Sequence, residues 1–319
     1  MRVRVSSPSR VHLGLVCVSP TLGVIDGGMG LMLEHPRAGV CLGGDEVSMP
    51  AAYADIVEAT CVRIGLATSS VALESRIPRH VGLGSGTQFA LSIVLGGEIL
   101  AGGDKNFAGP SLWRRAGRGA TSKVGCAGFD DGGLILDLGR PASAKIALGP
   151  SHFADLAHAH DRTLRFSFPE WDILVVIPNR WERVFGEKER LLFAALAQED
   201  HCAALETAFI QERQLLPAAR ERDLIAFDAA MRATRNVGLK RREIEYRGDP
   251  LTALIADLEG QGLSAVTLSS WGPAVVGFAE GMNAHERARV AERASTRHDA
   301  NVFWTRADNQ GRRVEIICD

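Results

Sequence analysis

Lysine is scarce in this chain of 319 residues: only five of its 36 basic residues are lysines, and the other 31 are arginines. Charge of one sign is equally lacking. The 36 basic residues face 38 acidic ones, for a formal charge of −2, so no global positive field exists to hold nucleic acid or an anionic membrane. Any anion must be captured locally. The six cysteines (Cys17, Cys41, Cys61, Cys126, Cys202, Cys318) include no C-x-x-C pair, which argues against a zinc ribbon or a disulfide-stapled secreted domain and predicts reduced thiols in a cytoplasm. No run of 18 apolar residues occurs, so no transmembrane helix is expected. The opening MRVRVSSPSRVHLGLVCV alternates and carries Ser, Pro, Arg and His where a signal peptide would be continuously apolar. With 46% hydrophobic and 23% charged residues, the chain has the composition of a soluble globular protein of one large or two moderate domains.

Hydrophobic periodicity predicts strands at Arg2–Val5, Val11–Val18, Gly28–Leu33 and Gly39–Leu42, a helix over Ala52–Leu66 and a strand at Val71–Ile77. A glycine-rich segment then opens an apolar helix that runs to about Leu100. Gly133–Leu138 and Ala144–Leu148 read as a hairpin turning at Gly139-Arg140-Pro141. From about Ser151 the texture is more charged, with a helical middle over Glu187–Val237 broken at Pro217, and mixed strands and helices to the end. The order implies α+β rather than a doubly wound sheet.

The sharpest chemical signal is Val81-Gly82-Leu83-Gly84-Ser85-Gly86-Thr87-Gln88, placed between a strand and a helix. Glycine at 82, 84 and 86 lets the backbone approach a ligand and present N–H groups to an anion, and the following helix adds the positive end of its dipole. The loop is neither a Walker A motif nor a dinucleotide fingerprint, since both the Gly-Lys-Ser/Thr ending and the required glycine spacing are missing. Arg10 and His12 are two apart in a strand and share a face.

Taken with Ser7-Pro8-Ser9-Arg10-Val11-His12-Leu13-Gly14 and Leu268-Ser269-Ser270-Trp271-Gly272-Pro273-Ala274, this loop resembles the three ordered motifs of the GHMP kinase superfamily. Within it the chain is most similar to the β-ribofuranosylaminobenzene 5′-phosphate synthases, through Asp26-Gly27-Gly28-Met29-Gly30, His80 to Gln88, Gly117-Arg118-Gly119-Ala120-Thr121-Ser122 and Ser269 to Pro273. The C-nucleoside synthases of formycin and pyrazofurin type belong to the same group.

The resemblance implies a two-lobed α+β fold, with a phosphate-loop lobe over residues 1–165 and a ferredoxin-like lobe over 166–319. It implies a transferase that joins phosphoribosyl pyrophosphate (PRPP) to an aromatic or azole carboxylate, releasing pyrophosphate and carbon dioxide and leaving a C–C ribosyl bond. The acceptor would be 4-amino- or 4-hydroxybenzoate, as in methanopterin synthesis, or a pyrazole carboxylate, as in C-nucleoside antibiotics. Arg10, His12, Asp26 and Lys123 are then the catalytic candidates. Gly82, Gly84, Ser85, Gly86, Thr87, Gln88, Arg118, Thr121 and Ser122 would hold the donor, and Ser269, Ser270 and Trp271 the acceptor. Mg2+ is the expected cofactor, with Asp26 as its candidate ligand, and a homodimer is expected from the family alone.

Two departures stand out. Lys123 occupies a position where the family has glycine, and Trp271 one where it has Phe; both lean toward a heteroaromatic acceptor. Many of the kinases carry Ser-Gly-x-Asp after the second motif, whereas the matching stretch here, Thr121-Ser122-Lys123-Val124-Gly125, ends in glycine, which favours the synthase. An ATP-dependent small-molecule kinase and a non-catalytic sensor of a phosphorylated ligand remain the alternatives. His152, His158, His160 and Asp161 make a poor metal cluster, because neighbouring histidines would face apart. The stretch from Trp181 to Glu189 reads as the start of a charged helix, a solvated face with i,i+4 pairs, with the loop before it able to close over the cleft, and Lys240-Arg241-Arg242 is offset by Glu243 and Glu245.

Overall fold

The computed structural model describes residues 1–17, 22–44, 49–144, 161–195 and 201–318. Alternating apolar residues make its first two strands long. β1 (Arg2–Cys17) and β2 (Val24–Leu42) pair antiparallel, and Val3, Val5, Val11 and Leu13 of one are buried with Met29, Leu31 and Leu33 of the other. Each absorbs two of the short strands expected from sequence. The interruption at Pro8 is taken up by a register shift between Pro8 and Ser9, and a second shift falls between His12 and Gly14.

α1 (Ala54–Ile64) and β3 (Val71–Ser75) follow, and β3 pairs with β2. α2 (Ser85–Leu100) is apolar on every side and accordingly buried, packed on β1, β2 and α1. It approaches β2 so closely at Gly96 that a Cβ there would stand 2.3 Å from Leu42 Cδ1. Next come α3 (Gly109–Arg115), α4 (Val124–Asp131), β4 (Leu134–Asp137), the two-residue β5 (Arg140–Pro141) and β6 (Thr163–Phe166). β4 and β5 both pair with β2, and β6 lies beside β4. Arg140 and Pro141 are therefore strand residues and not the expected turn, because the Arg140 side chain is drawn inside by Asp26. Ala144 ends a short 3-10 turn, and the rest of the expected second hairpin strand, 145–148, lies outside the described residues, as do His152, His158 and His160.

β7 (Asp172–Pro178) is followed by the helices α5 (Gly186–Ala195), α6 (His201–Ile210), α7 (Leu216–Glu221), α8 (Leu224–Arg235), α9 (Gly238–Arg247) and α10 (Asp249–Gly260). Pro217 sits in the first turn of α7, where its missing N–H is tolerated, after one π-type turn over Gln211–Leu215. β8 (Ser264–Leu268), β9 (Val275–Ala279), α11 (Ala284–His298) and β10 (Ala300–Thr305) complete a four-stranded antiparallel sheet in the order β10-β7-β9-β8. Strand β7 explains why its sequence is an unbroken apolar run. Leu174 and Val176 face α10 and α11, while Ile173 and Val175 belong to the core shared with the first sheet.

β11 (Arg313–Ile317) returns to the first sheet and pairs with β1, giving the order β11-β1-β2-β4-β6. A buried ion pair between Arg37 of β2 and Asp308 ties this return in place, and Arg37 also donates to Gly311 O at 2.9 Å.

Candidate active site

The glycine loop ends where α2 begins. Gly84 caps the helix in the left-handed region (φ 76°), and the first helical bonds run from Thr87 and Gln88 N–H to Gly84 O. The N–H groups of Ser85 and Gly86 precede that first bond and sit at the positive end of the dipole. Gly82 (φ 89°) lies against the third motif: a Cβ there would meet Ser269 O at 2.3 Å. Gly86 differs, because its nearest neighbour would be Arg118 Nη2 at 3.8 Å. Two of the glycines thus serve close packing and the third leaves open space.

That space is a cavity of about 480 Å3, lined by Arg10, Gly82, Gly84, Ser85, Gly86, Thr87 and Arg118, by Ser270, Trp271 and Gly272, and by the loop and helix start Val184, Phe185, Gly186 and Glu189. Asp55, Arg79 and His80 complete the wall. Arg10 Nη1 donates to Gly82 O at 2.7 Å, and the Arg10 backbone N–H donates to Leu83 O, which fixes the loop to β1. Arg79 is committed to Asp55 and to Ala52 O. Arg118 is half-buried and its Nε has no partner among the described residues. Burial pulls the Arg10 and Arg118 guanidinium groups down from their ordinary range. A larger cavity of about 640 Å3 lies at Phe166–Trp171, Ala219, Arg220, Arg222, Glu280 and Asn309. It has neither a glycine loop nor a helix start, so the smaller cleft is the candidate site.

Behind the cleft runs a hydrogen-bonded layer. His12 is buried, its Nε2 lies 3.1 Å from Ser122 Oγ, and its backbone N–H donates to Ser269 Oγ, which in turn donates to Gly82 O at 2.7 Å. Burial, with Arg10 and Lys240 nearby, pushes the His12 imidazole well below its usual value, so it is neutral at pH 7. Gln88 is also turned inward and donates to Gly125 O at 2.8 Å. Arg10 and His12 do share a side of β1, toward the loops that open α2 and α4, but only Arg10 lines the cavity.

Comparison with known proteins then separates fold from family. No family profile matches the chain. It is 30% identical over 305 residues to the β-ribofuranosylphenol 5′-phosphate synthase of Methanothermobacter thermautotrophicus, covering 90% of this chain and 92% of that one. The chain belongs to the β-ribofuranosylphenol 5′-phosphate synthase family. Its similarity to the synthase of Archaeoglobus fulgidus is 29% over 328 residues, covering 98% of this chain and all of the other. Among solved structures, homoserine kinase from Cytophaga hutchinsonii superposes with a TM-score of 0.64 at 15% identity, over 98% of this chain and 97% of the kinase. Mevalonate kinase from L. major in complex with R-mevalonate gives 0.62 at 12%, over 96% of both. These two show a GHMP-kinase fold, as the motifs led one to expect.

Within this synthase-family cleft, nine of the sequence-derived positions line the cavity: Arg10, Gly82, Gly84, Ser85, Gly86, Thr87, Arg118, Ser270 and Trp271. His12, Gln88, Thr121, Ser122 and Ser269 stand behind it. Asp26 and Lys123 are placed differently from the expectation. Asp26 is buried against Arg140 (Nε to Oδ2, 2.9 Å). Lys123 is 1% exposed, paired with Asp137 and bonded to Gly139 O. Both are spent on buried ion pairs, one tying β2 to β5 and the other tying the start of α4 to β4, and neither is among the residues lining the cleft. A carboxylate already shared with a buried guanidinium does not fit a Mg2+ ligand, and no group of three or more His, Cys, Asp or Glu among the described residues could hold a metal ion. No helix among the described residues is long and apolar enough to cross a membrane.

Glu189 is the residue that sequence reasoning passed over. Its neighbours behave as the solvated pattern predicts, Glu187 with Arg190 and Lys188 with Glu182. Glu189 turns inward instead, half-buried in the cavity wall, and burial pushes its carboxyl up to about 7, held back by Arg10 and reinforced by Glu243. Phe193, one turn further on, gives the signal that could have exposed this face.

Proposed function

We propose that the chain catalyses decarboxylative C-ribosylation: PRPP donates ribose 5-phosphate to an aromatic or azole carboxylate, with pyrophosphate and carbon dioxide released. The feature that supports this reading is the open space at Gly86 on the start of α2, where a Cβ would have only Arg118 Nη2, at 3.8 Å, within contact. Charge develops on the departing diphosphate, and preorganised N–H groups and guanidinium groups aimed at it are worth several kcal/mol, a single lost donor costing ~3. The opposite wall is aromatic and suits a flat acceptor. Trp271 is 4% exposed, held edge-on by Phe193 and Tyr246, and presents part of its surface to the cavity. Arg10 also lines the cleft, with Nη1 given to Gly82 O, and its guanidinium would supply a cation to a phosphate or a carboxylate there.

The names of the relatives support a ribosyl-phosphate product on a phenol-type ring. A pyrazole carboxylate remains the second acceptor class, on the Trp271 departure alone. Gly125 supports the synthase over a kinase: a Cβ there would lie 3.5 Å from Thr87 Cγ2 and 3.7 Å from Arg10 Cγ, so the position abuts the loop yet offers no carboxylate. Magnesium enters this proposal only as an ion brought by the donor's phosphates, and no step is assigned to it. Incubation with PRPP, Mg2+ and 4-hydroxybenzoate, 4-aminobenzoate or a pyrazole carboxylate should release pyrophosphate and CO2 in equal amounts. ADP formed from ATP and an alcohol, with no pyrophosphate under any acceptor, would reverse the assignment.

A further inference from the structure

Among the described residues lining the cleft, Asp55 and Glu189 are the carboxylates, and Asp55 is taken by Arg79. Glu189 makes no salt bridge among the described residues. It sits on the first turns of α5, and Phe193, four residues on and so on the same side of the helix, packs edge-on to Trp271 with ring centroids 6.3 Å apart. That contact fixes α5 against the aromatic wall, in the same cavity lining as Glu189, Trp271 and Arg10. Its charged neighbours are Arg10 on β1 and Glu243 on α9 (itself paired with Lys240), and the titratable and charged groups elsewhere in the cavity lining are Asp55, Arg79, His80 and Arg118.

A carbon nucleophile needs electron density pushed into the ring at the carbon that bears the carboxylate. We propose that Glu189 is the base that takes the proton from an O–H or N–H group conjugated with that carbon, so that the acceptor must carry such a group. This inference rests on the reaction proposed above. As the proton passes to Glu189, the ring carbon bonds to C1 of ribose and the C1–O bond breaks, its electron pair leaving with pyrophosphate. The bond to the carboxylate carbon then breaks, CO2 departs, its electron pair restores the aromatic ring, and Glu189 returns the proton to the oxygen or nitrogen. No proton is gained or lost overall. A group ionising near neutrality suits both halves of this exchange.

The test compares wild type with Glu189→Gln and Glu189→Asp. With PRPP and 4-hydroxybenzoate, wild-type kcat/KM should rise about tenfold per pH unit up to about 7 and then level. Glu189→Gln should lose ~10²-fold or more in kcat and show no such limb, Glu189→Asp should recover part of the loss, and the affinity for pyrophosphate should stay within about twofold. A retained limb in Glu189→Gln, or equal losses in pyrophosphate and acceptor affinity, would overturn the role. Binding without turnover separates this from the reaction itself. Wild type should bind 4-hydroxybenzoate at least about tenfold more tightly than benzoate, and Glu189→Gln should erase the preference. If no acceptor yields pyrophosphate while that preference appears and vanishes as expected, the reaction is wrong and the Glu189 contact stands; equal wild-type binding of the two probes ends the Glu189 proposal.

Discussion

Glycine at 86 separates folding from binding in a way that a single substitution can read. A methyl group there meets only open space and the far end of Arg118, and alanine is the better helix former by about 1 kcal/mol. Gly86→Ala should therefore raise or preserve Tm while weakening pyrophosphate binding at least about tenfold, seen by calorimetry. Gly82→Ala, pressed onto Ser269 O at a positive φ, should instead lower Tm. Lys123→Met should act on stability too, since it strands the buried Asp137 carboxylate, which also accepts from the Lys123 and Gly139 N–H groups; leaving one member of such a pair alone costs about 3–5 kcal/mol. A chemical denaturation curve would show it. Glu189 carries a signed pH dependence. Its carboxyl is raised in the fold from 4.5 to about 7, so its contribution is full below about 4.5 and is lost as pH rises through 7. The Tm advantage of Glu189→Gln over wild type should be absent near pH 4.5 and grow up to pH 8. Of these residues the glycines were legible as a loop that opens a helix, although the contacts of Gly82 with Ser269 and of Gly84 with Arg10 that require two of them are long-range. Lys123 and Asp26 were not, since the partners that bury them, Asp137 and Arg140, lie on strands paired only in the fold.

α5 shows why a helix can be read correctly and still be misassigned. Its first turns contain Glu187, Lys188, Glu189 and Arg190, a charged string that composition alone assigns to solvent, and three of the four do make exposed ion pairs. Which side of a charged helix faces inward depends on what stands opposite, here Trp271 and Arg10, more than 80 residues away on either side. Trp271 tests the contact. Trp271→Phe should leave a void beside Phe193 and Tyr246 and cost ~1–2 kcal/mol; it should raise KM for the acceptor with the donor's KM unchanged in steady-state kinetics. The long strands teach a related lesson. Pro8 and the Glu34–Arg37 stretch read as interruptions, because periodicity breaks at a bulge even where pairing continues.

At the scale of the whole molecule, the first sheet is closed by the end of the chain. β11 covers the outer edge of β1, and Arg37, Asp308 and Gly311 clasp the segment leading to it. Arg37→Ala should leave Asp308 buried without its cation and lower stability by ~3–5 kcal/mol. The GHMP-type order of elements was legible from motifs spread along the sequence, whereas this return was not, because pairing between residues some 310 positions apart leaves no local mark. It has a consequence for synthesis. Strand β1 is translated some 310 residues before its partner β11, so its outer hydrogen-bonding edge waits until residues 313–317 have been made, and an open edge recruits foreign strands. The nascent chain should lean on a chaperone until β11 is made, and ribosome-stalled chains ending before residue 306 should co-purify with one that chains extended beyond β11 shed.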